Sequence, residues 1–115
     1  MRIGDLAAKT GISVRALRYY EEQGLLEPTR TPAGQRIFPE SAVLRVDFIR
    51  QLLAAGVPTR TIAAILPCME TGGISQAQRE LLGTELGRID QRIRTLSAAR
   101  DRLADVIASA PQAAA

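Results

Sequence analysis

Apolar residues recur every three to four positions near the start of the chain and predict two short helices. The first helix runs from about Ile3 to Lys9 and is closed by Gly11. The second runs from Val14 to Gln23, three or four residues later. A gap of this length containing a glycine is typical of a helix-turn-helix. The inward positions predicted for the two helices are Ile3, Leu6, Ala7, Val14 and Leu17.

Two more amphipathic segments follow further along the chain. A third helix begins at Pro39-Glu40, because proline suits the first turn of a helix and a carboxylate suits its positive end. It ends at Gly56, and a shorter fourth helix lies between Pro58 and Pro67. The core stripe predicted for the third helix is Val43, Leu44, Phe48, Ile49, Leu52 and Leu53.

A β-hairpin is predicted between the second and third helices. Its extended segments are Leu25–Thr29 and Ile37-Phe38, and Pro32 and Gly34 are the turn formers between them. We call this hairpin the wing. Strands this short are not stable alone, so the wing is expected to lean on the helices.

The hydrophobic period changes to 3.5 residues from Ser75 onward. Apolar residues at alternating steps of three and four, interrupted at Arg100, are typical of a coiled-coil seam. A helix packed back on its own domain is the alternative. Because an isolated straight helix of this length would leave most of its apolar stripe exposed, self-association is favoured. The predicted dimerisation residues, which we call the seam, are Leu82, Leu86, Ile89, Ile93, Leu96, Leu103 and Ile107.

Together these elements predict a mainly α fold. Residues 1–67 are expected to form a winged helix-turn-helix DNA-binding domain, and residues 68–74 a linker. Residues 75–109 are expected to form a long C-terminal dimerisation helix, followed by a disordered tail over residues 110–115.

Charge placement favours a polyanionic partner for the first half of the chain. Residues 1–60 contain nine Lys or Arg against six Asp or Glu, whereas residues 61–115 contain six of each. No signal peptide or membrane-spanning run is recognisable, so we expect a cytoplasmic protein without membrane contact. One cysteine and no histidine argue against a metal site, a cofactor or enzymatic acid–base chemistry.

The second helix carries the candidate nucleic-acid chemistry. Ser13 is placed to cap its N-terminus. Arg15, Arg18 and Tyr19, at i, i+3 and i+4, share one face. Two guanidinium groups and a phenol suit phosphate oxygens and base edges, although a merely solvated amphipathic helix would have a similar pattern.

With these motifs in this order, the chain resembles the MerR family of bacterial transcription regulators. The resemblance implies a homodimer whose long helices pair antiparallel and hold two winged helix-turn-helix domains apart. It also implies recognition helices in major grooves and wings on the DNA backbone. The motifs that carry it are Ile3-Gly4-Asp5-Leu6-Ala7, Thr10-Gly11-Ile12-Ser13, Arg15-Ala16-Leu17-Arg18-Tyr19-Tyr20-Glu21, Gly24-Leu25-Leu26, Gly34-Gln35-Arg36-Ile37-Phe38, and Leu44-Arg45 with Phe48-Ile49.

The resemblance also implies how such a protein acts. Double-stranded promoter DNA is the expected partner, bent and untwisted so that widely spaced polymerase-recognition elements realign, which makes RNA polymerase a further partner. Carried over by position, the expected DNA contacts are Arg15, Arg18, Tyr19, Tyr20 and Arg36, with Ser13 and Ala16 near the bases.

The effector is unknown from the sequence. Metal-sensing members of the family use paired cysteines, whereas Cys68 stands alone in this chain. Two interpretations of Cys68 remain open: a small buried apolar side chain, or a thiol that senses oxidants.

Two other classes of protein compete with a regulator. An excisionase-like architectural DNA-binding protein would share the winged fold without an effector, but the long seam indicates a fixed dimer. A coiled-coil adaptor with no DNA role would leave the cationic face of the second helix and Arg36 unexplained.

Overall fold

The structure is a computed structural model that describes residues 1–114. It contains two compact units, one from Met1 to Gln78 and another from Arg79 onward. Helices dominate the described residues, so the prediction of a mainly α fold is confirmed. The elements in chain order are α1 (Ile3–Thr10), α2 (Val14–Glu22), β1 (Thr29–Arg30), β2 (Arg36–Ile37), α3 (Ala42–Ala54), α4 (Thr59–Ile65), α5 (Cys68–Thr71) and α6 (Gln76–Ser109).

The turn between α1 and α2 is built as its sequence predicts. Gly11 adopts a left-handed conformation with φ of 72°, and its N–H donates to the carbonyl of Ala7 at 2.9 Å. Ser13 accepts a hydrogen bond from the N–H of Ala16 through its hydroxyl oxygen at 3.1 Å. Gly24 follows α2 with φ of 73°. These local signals fix both ends of α2.

One hydrophobic core holds the first unit together, and α3 meets it with all of the predicted stripe except Leu44. Leu44, predicted in the core stripe, is 68% exposed, while Val46 is fully buried. Because α3 has apolar residues on most of its circumference, periodicity alone does not select its inner face. The core residues are Leu6, Leu17, Tyr20, Leu25, Leu26, Phe38, Ala42, Val46, Ile49, Val57, Ile62 and Leu66.

The wing exists, but its strands are displaced from the predicted positions. The antiparallel ladder pairs Thr29 with Ile37 and Arg30 with Arg36. The segments predicted as strands include Leu25, Leu26 and Phe38, whose side chains are buried in the core instead. Because these large side chains are buried in the core, the residues that carry them lie outside the ladder.

The tip of the wing is a tight turn. The N–H of Gly34 donates to the carbonyl of Thr31 at 2.8 Å, and Gly34 has φ of 84°. Proline at the second position and glycine at the fourth are the residues that a type I turn favours. Ala33 at the third position keeps a negative φ and fits this turn without strain.

Residues 68–74, expected as a linker, contain the short helix α5. Its C-terminus is closed by Gly72, whose φ is 80° and whose N–H donates to the carbonyl of Cys68 at 3.0 Å. Cys68 itself is buried. The segment expected as a linker therefore includes one helical turn, which a left-handed glycine closes.

The long helix begins at a reciprocal cap. Ser75 accepts from the N–H of Gln78 at 3.1 Å, and Gln78 accepts from the N–H of Ser75 at 2.8 Å. Helix α6 then continues to Ser109, and residues 110–114 carry no helix. Ala115, the last residue of the predicted tail, lies outside the described residues. No helix within residues 1–114 has the length and apolar character to cross a membrane.

Candidate nucleic-acid interface

The exposed face of α2 presents the side chains predicted from its sequence. Arg15, Arg18 and Tyr19 are exposed, and together with Glu22 they line a shallow depression of about 340 Å³. On the opposite side of the helix, Leu17 is fully buried in the core. The core therefore fixes the rotation of α2 and directs two guanidinium groups and a phenol into solvent.

The two adjacent tyrosines of α2 have different environments. Tyr19 is 46% exposed, whereas Tyr20 is 6% exposed and belongs to the hydrophobic core. Their ring centroids lie 6.5 Å apart in an edge-to-face arrangement. Burial raises the pKa of the Tyr20 hydroxyl above its ordinary value, and the positive charge of Arg50 partly opposes that rise. Tyr20, expected as a DNA contact, is placed inside the domain because it lies three residues after Leu17, on the same side of α2.

Ser13 and Ala16 lie at the start of α2. Ser13 is exposed and Ala16 is half-buried, and the cap bond joins them. The serine oxygen is an acceptor for the helix N-terminus, while its hydroxyl proton can still be donated to an external acceptor. The geometry thus gives Ser13 a structural role as the helix cap and leaves its hydroxyl proton available for the expected contact with DNA.

Arg36 on β2 lies beside α2. One of its Nη atoms is 3.4 Å from a carboxylate oxygen of Glu21 on α2. The arginine is partly exposed, and the Glu21 side chain retains 19% exposure. This ion pair joins the wing to the helix that carries Arg15 and Arg18, so cations from both elements belong to one surface.

Other cations of the first unit hold the fold itself. Lys9 forms an ion pair with Glu40 at 3.1 Å. The Nε of Arg45 donates to the carbonyl of Leu25 at 2.9 Å. Arg30 donates to the carbonyl of Gly34 within the wing. Their main contacts are thus intramolecular, whereas the side chains of Arg15 and Arg18 form no hydrogen bond or ion pair with any of the residues 1–114 that the structure describes.

A family comparison matches this part of the chain. The model of the family described as "MerR HTH family regulatory protein" matches residues 1–67, which include the helix-turn-helix, the wing, α3 and α4. The chain belongs to the MerR family of helix-turn-helix regulatory proteins. The resemblance carried by the sequence motifs is therefore confirmed.

Individual MerR-type relatives extend the similarity beyond the matched domain. The nodulation protein NolA of Bradyrhizobium elkanii is 37% identical over 106 residues, which are 91% of this chain and 46% of NolA. The regulator ZntR of Escherichia coli is 29% identical over 110 residues, covering 87% of this chain and 78% of ZntR. This MerR-family chain thus spans less than half the length of NolA.

Solved MerR-type structures share the fold. The transcription regulator PbrR691 of Ralstonia metallidurans, solved in complex with lead(II), is 27% identical with a TM-score of 0.79. The similarity covers 100% of this chain and 91% of PbrR691. No group of three or more metal-ligating side chains is found within residues 1–114 of this chain.

The second unit of this MerR-family chain exposes the predicted seam. Leu86, Leu96 and Leu103 are largely exposed, Ile93 is 56% exposed and Ile107 is 70% exposed. Arg100, which interrupts the seam, forms an exposed ion pair with Asp101 at 3.2 Å. A row of large apolar side chains left in water is a candidate association surface.

Proposed function

We propose that this MerR-family chain is a dimeric, sequence-specific DNA-binding regulator of transcription that responds to an effector still to be identified. Residues 1–67 form its DNA-binding domain, and the helix over residues 75–109 joins two copies. The observation that carries this proposal is the exposed Arg15, Arg18 and Tyr19 face of α2, with Arg36 of the wing held beside it. We assign no catalytic role to the chain.

The DNA contacts divide by chemistry. Arg15 and Arg18 reach base edges or phosphates in the major groove, since a guanidinium is suited to bidentate contact with guanine and with phosphate. Tyr19 adds a phenol donor, and Arg36 contacts the backbone or enters the minor groove, where the negative potential favours guanidinium. Ser13 and Ala16 approach the bases, and Tyr20 supports α2 from within the core.

A dimer grips two half-sites on one duplex and distorts the DNA between them. Linking two domains converts the second binding event into an intramolecular one, which raises the overall affinity. The contact energy then offsets the deformation of the promoter, and RNA polymerase reads the altered spacing. Such a regulator works in the cytoplasm, where the DNA of a bacterium lies.

The test is Arg18→Ala measured on a duplex selected by the protein from a random pool. Affinity should fall about 5- to 150-fold for each half-site, the equivalent of removing one base or phosphate interaction from each protomer, while the dimer and its thermal unfolding remain unchanged. Arg102→Ala in α6 removes the same charge from the second unit and serves as the matched control. Wild-type binding by Arg18→Ala would reject this use of α2.

Salt dependence provides a second readout. Four phosphate-neutralising cations in each protomer of a dimer predict a log–log slope of affinity against salt of roughly −7. A slope near zero would reject electrostatic docking on DNA.

A further inference from the structure

The beginning of the chain is fastened to the wing. The backbones of Met1 and Phe38 exchange two hydrogen bonds: the Met1 nitrogen donates to the Phe38 carbonyl at 2.9 Å, and the Phe38 N–H donates to the Met1 carbonyl at 2.6 Å. Phe38 follows β2 directly and is buried in the core. These bonds bring Arg2, the next residue, alongside the wing.

Arg2 is also held by its side chain. One of its Nη atoms donates to the side-chain oxygen of Gln35 at 2.8 Å, although the two residues are 33 positions apart. Its own N–H donates to the carboxylate of Asp5 at 3.1 Å, which anchors the backbone at the start of α1. The bond to Gln35 thus orients the guanidinium, and the bond to Asp5 fixes the backbone that carries it.

Three arginines from separate segments of the first unit line one cavity beside the wing. Arg2 precedes α1, Arg18 lies on α2 and Arg36 lies on β2, and together with Ile3 and Gln35 they line one open cavity of about 260 Å³. We call these three side chains the arginine cradle. Gln35 holds Arg2, and Glu21 holds Arg36 at 3.4 Å.

The charge balance of the cradle favours an anion. The carboxylates in contact with cradle residues are Glu21, which pairs with Arg36, and Asp5, which accepts from the backbone N–H of Arg2. Two carboxylates against three guanidinium groups leave a net positive charge.

We propose that the arginine cradle binds one backbone phosphate of DNA, with Arg2 as a direct contact and with Gln35 and Glu21 as positioning residues. The inference rests on the proposed DNA-binding function and adds Arg2 to its contacts. Three arginine side chains that line one small open cavity suit a compact phosphate, whose oxygens accept several charge-assisted hydrogen bonds at once, better than a flat base edge.

The experiment measures binding of the full chain to a short labelled duplex of mixed sequence, between about 50 and 200 mM salt. Because two carboxylates offset two of the three guanidinium groups, loss of Arg2 removes the net positive charge of the cradle, so the magnitude of the log–log salt slope should fall by about 0.9 per protomer. Arg2→Ala should show this reduction and at least about a tenfold loss of affinity at the lower salt. Arg2→Lys should keep the wild-type slope and bind more weakly than wild type, because the charge remains and the bidentate geometry is absent.

Arg102→Ala is the matched control for the removal of one positive charge. If Arg2→Ala keeps the wild-type slope, or changes it no more than Arg102→Ala does, the assignment of the arginine cradle to a backbone phosphate is overturned. The proposed function would survive that result provided that Arg18→Ala still weakens binding as expected, so the two failures are distinguishable.

A double-mutant cycle of Arg2 and Gln35 tests the positioning role of Gln35. Gln35→Ala should weaken binding about two- to tenfold without altering the slope, because it removes orientation and no charge. In the Arg2→Ala background, the same change should have no further effect. An equal loss in both backgrounds would show that Gln35 acts independently and would overturn its positioning role.

A modified duplex separates DNA phosphate from free phosphate. Among duplexes in which one linkage of each half-site is a neutral methylphosphonate, one should weaken wild-type binding and leave the binding of Arg2→Ala unchanged, because the charge that Arg2 contacts is already without its partner. If every such duplex affects wild type and Arg2→Ala equally, the assignment of the cradle to the DNA backbone is overturned.

Discussion

Tyr19 and Tyr20 show how one step along a helix changes the role of a residue. Successive residues of an α-helix are rotated by about 100°. Tyr19 therefore lies four residues after Arg15, on the exposed face, whereas Tyr20 lies three residues after Leu17, on the buried face. The ring of Tyr20 stabilises the domain by burial, and its hydroxyl is held where ionisation is unfavourable.

Burial of Tyr20 predicts a specific pH dependence of stability. Because desolvation raises its pKa in the folded state above the ordinary value of about 10, the unfolded chain loses this proton first as the pH rises. The unfolded state then binds fewer protons than the folded state, so the free energy of unfolding falls above about pH 10. Tyr20→Phe should reduce this fall, measured by urea unfolding from about pH 8 to about pH 11 at fixed protein concentration.

Tyr19→Phe is the matched control, since it removes a hydroxyl from the adjacent exposed ring and leaves Tyr20 in place. It should retain the wild-type fall in stability. If Tyr20→Phe retained the same fall, the buried hydroxyl would not be its source.

At the scale of elements, α2 is too short to be stable on its own. A helix of nine residues is marginal in water and depends on its cap and its packing. Ser13 supplies the cap, while Leu17 and Tyr20 supply the packing. The same helix presents the proposed DNA contacts, so removal of its cap affects both stability and binding.

Ser13→Ala should lower the free energy of unfolding by about 1 kcal/mol, because the N–H of Ala16 loses its acceptor. Ser13→Asn should retain most of the stability, since asparagine is an equally good cap. Thermal and urea unfolding measure both variants. Equal stability of Ser13→Ala and wild type would mean that water replaces the cap at no cost.

At the scale of the whole molecule, we expect the exposed seam of α6 to pair with a second copy. The isolated chain leaves large side chains such as Ile93 and Ile107 mostly in water. Pairing with a second copy removes them from solvent, and each fully buried side chain of this size contributes roughly 1.5–3 kcal/mol. We therefore expect dimerisation to be driven by burial of apolar side chains, which also stabilises the core of the first unit.

Ile93→Asp should convert the dimer mostly to monomer, because it places a carboxylate in the middle of the apolar seam. Tight binding to a two-half-site duplex should disappear with it. Analytical ultracentrifugation and DNA titration measure these effects. Gln91→Asp adds the same charge off the seam and should sediment as wild type, whereas an intact Ile93→Asp dimer would refute the seam.

Much of the fold follows from local chemistry that the sequence displays. Gly11 and Gly24 supply left-handed conformations at helix ends, Ser13 supplies a cap, and period 3.5 marks the seam in α6. Each of these signals acts within a few residues, or repeats along one helix, so the order of helices and the exposed face of α2 are predictable. The motifs also identify the family, because their order and spacing are preserved in a linear sequence.

Tertiary structure decides what depends on contacts between distant segments. It buries Val46 and exposes Leu44 on α3, and it diverts Leu25, Leu26 and Phe38 from the wing into the core. The approach of Arg2 to Gln35 is of the same kind. Residues separated by tens of positions share no periodic signal, and several apolar faces satisfy the same pattern. The choice among them is made by close packing, which exists once the chain has folded.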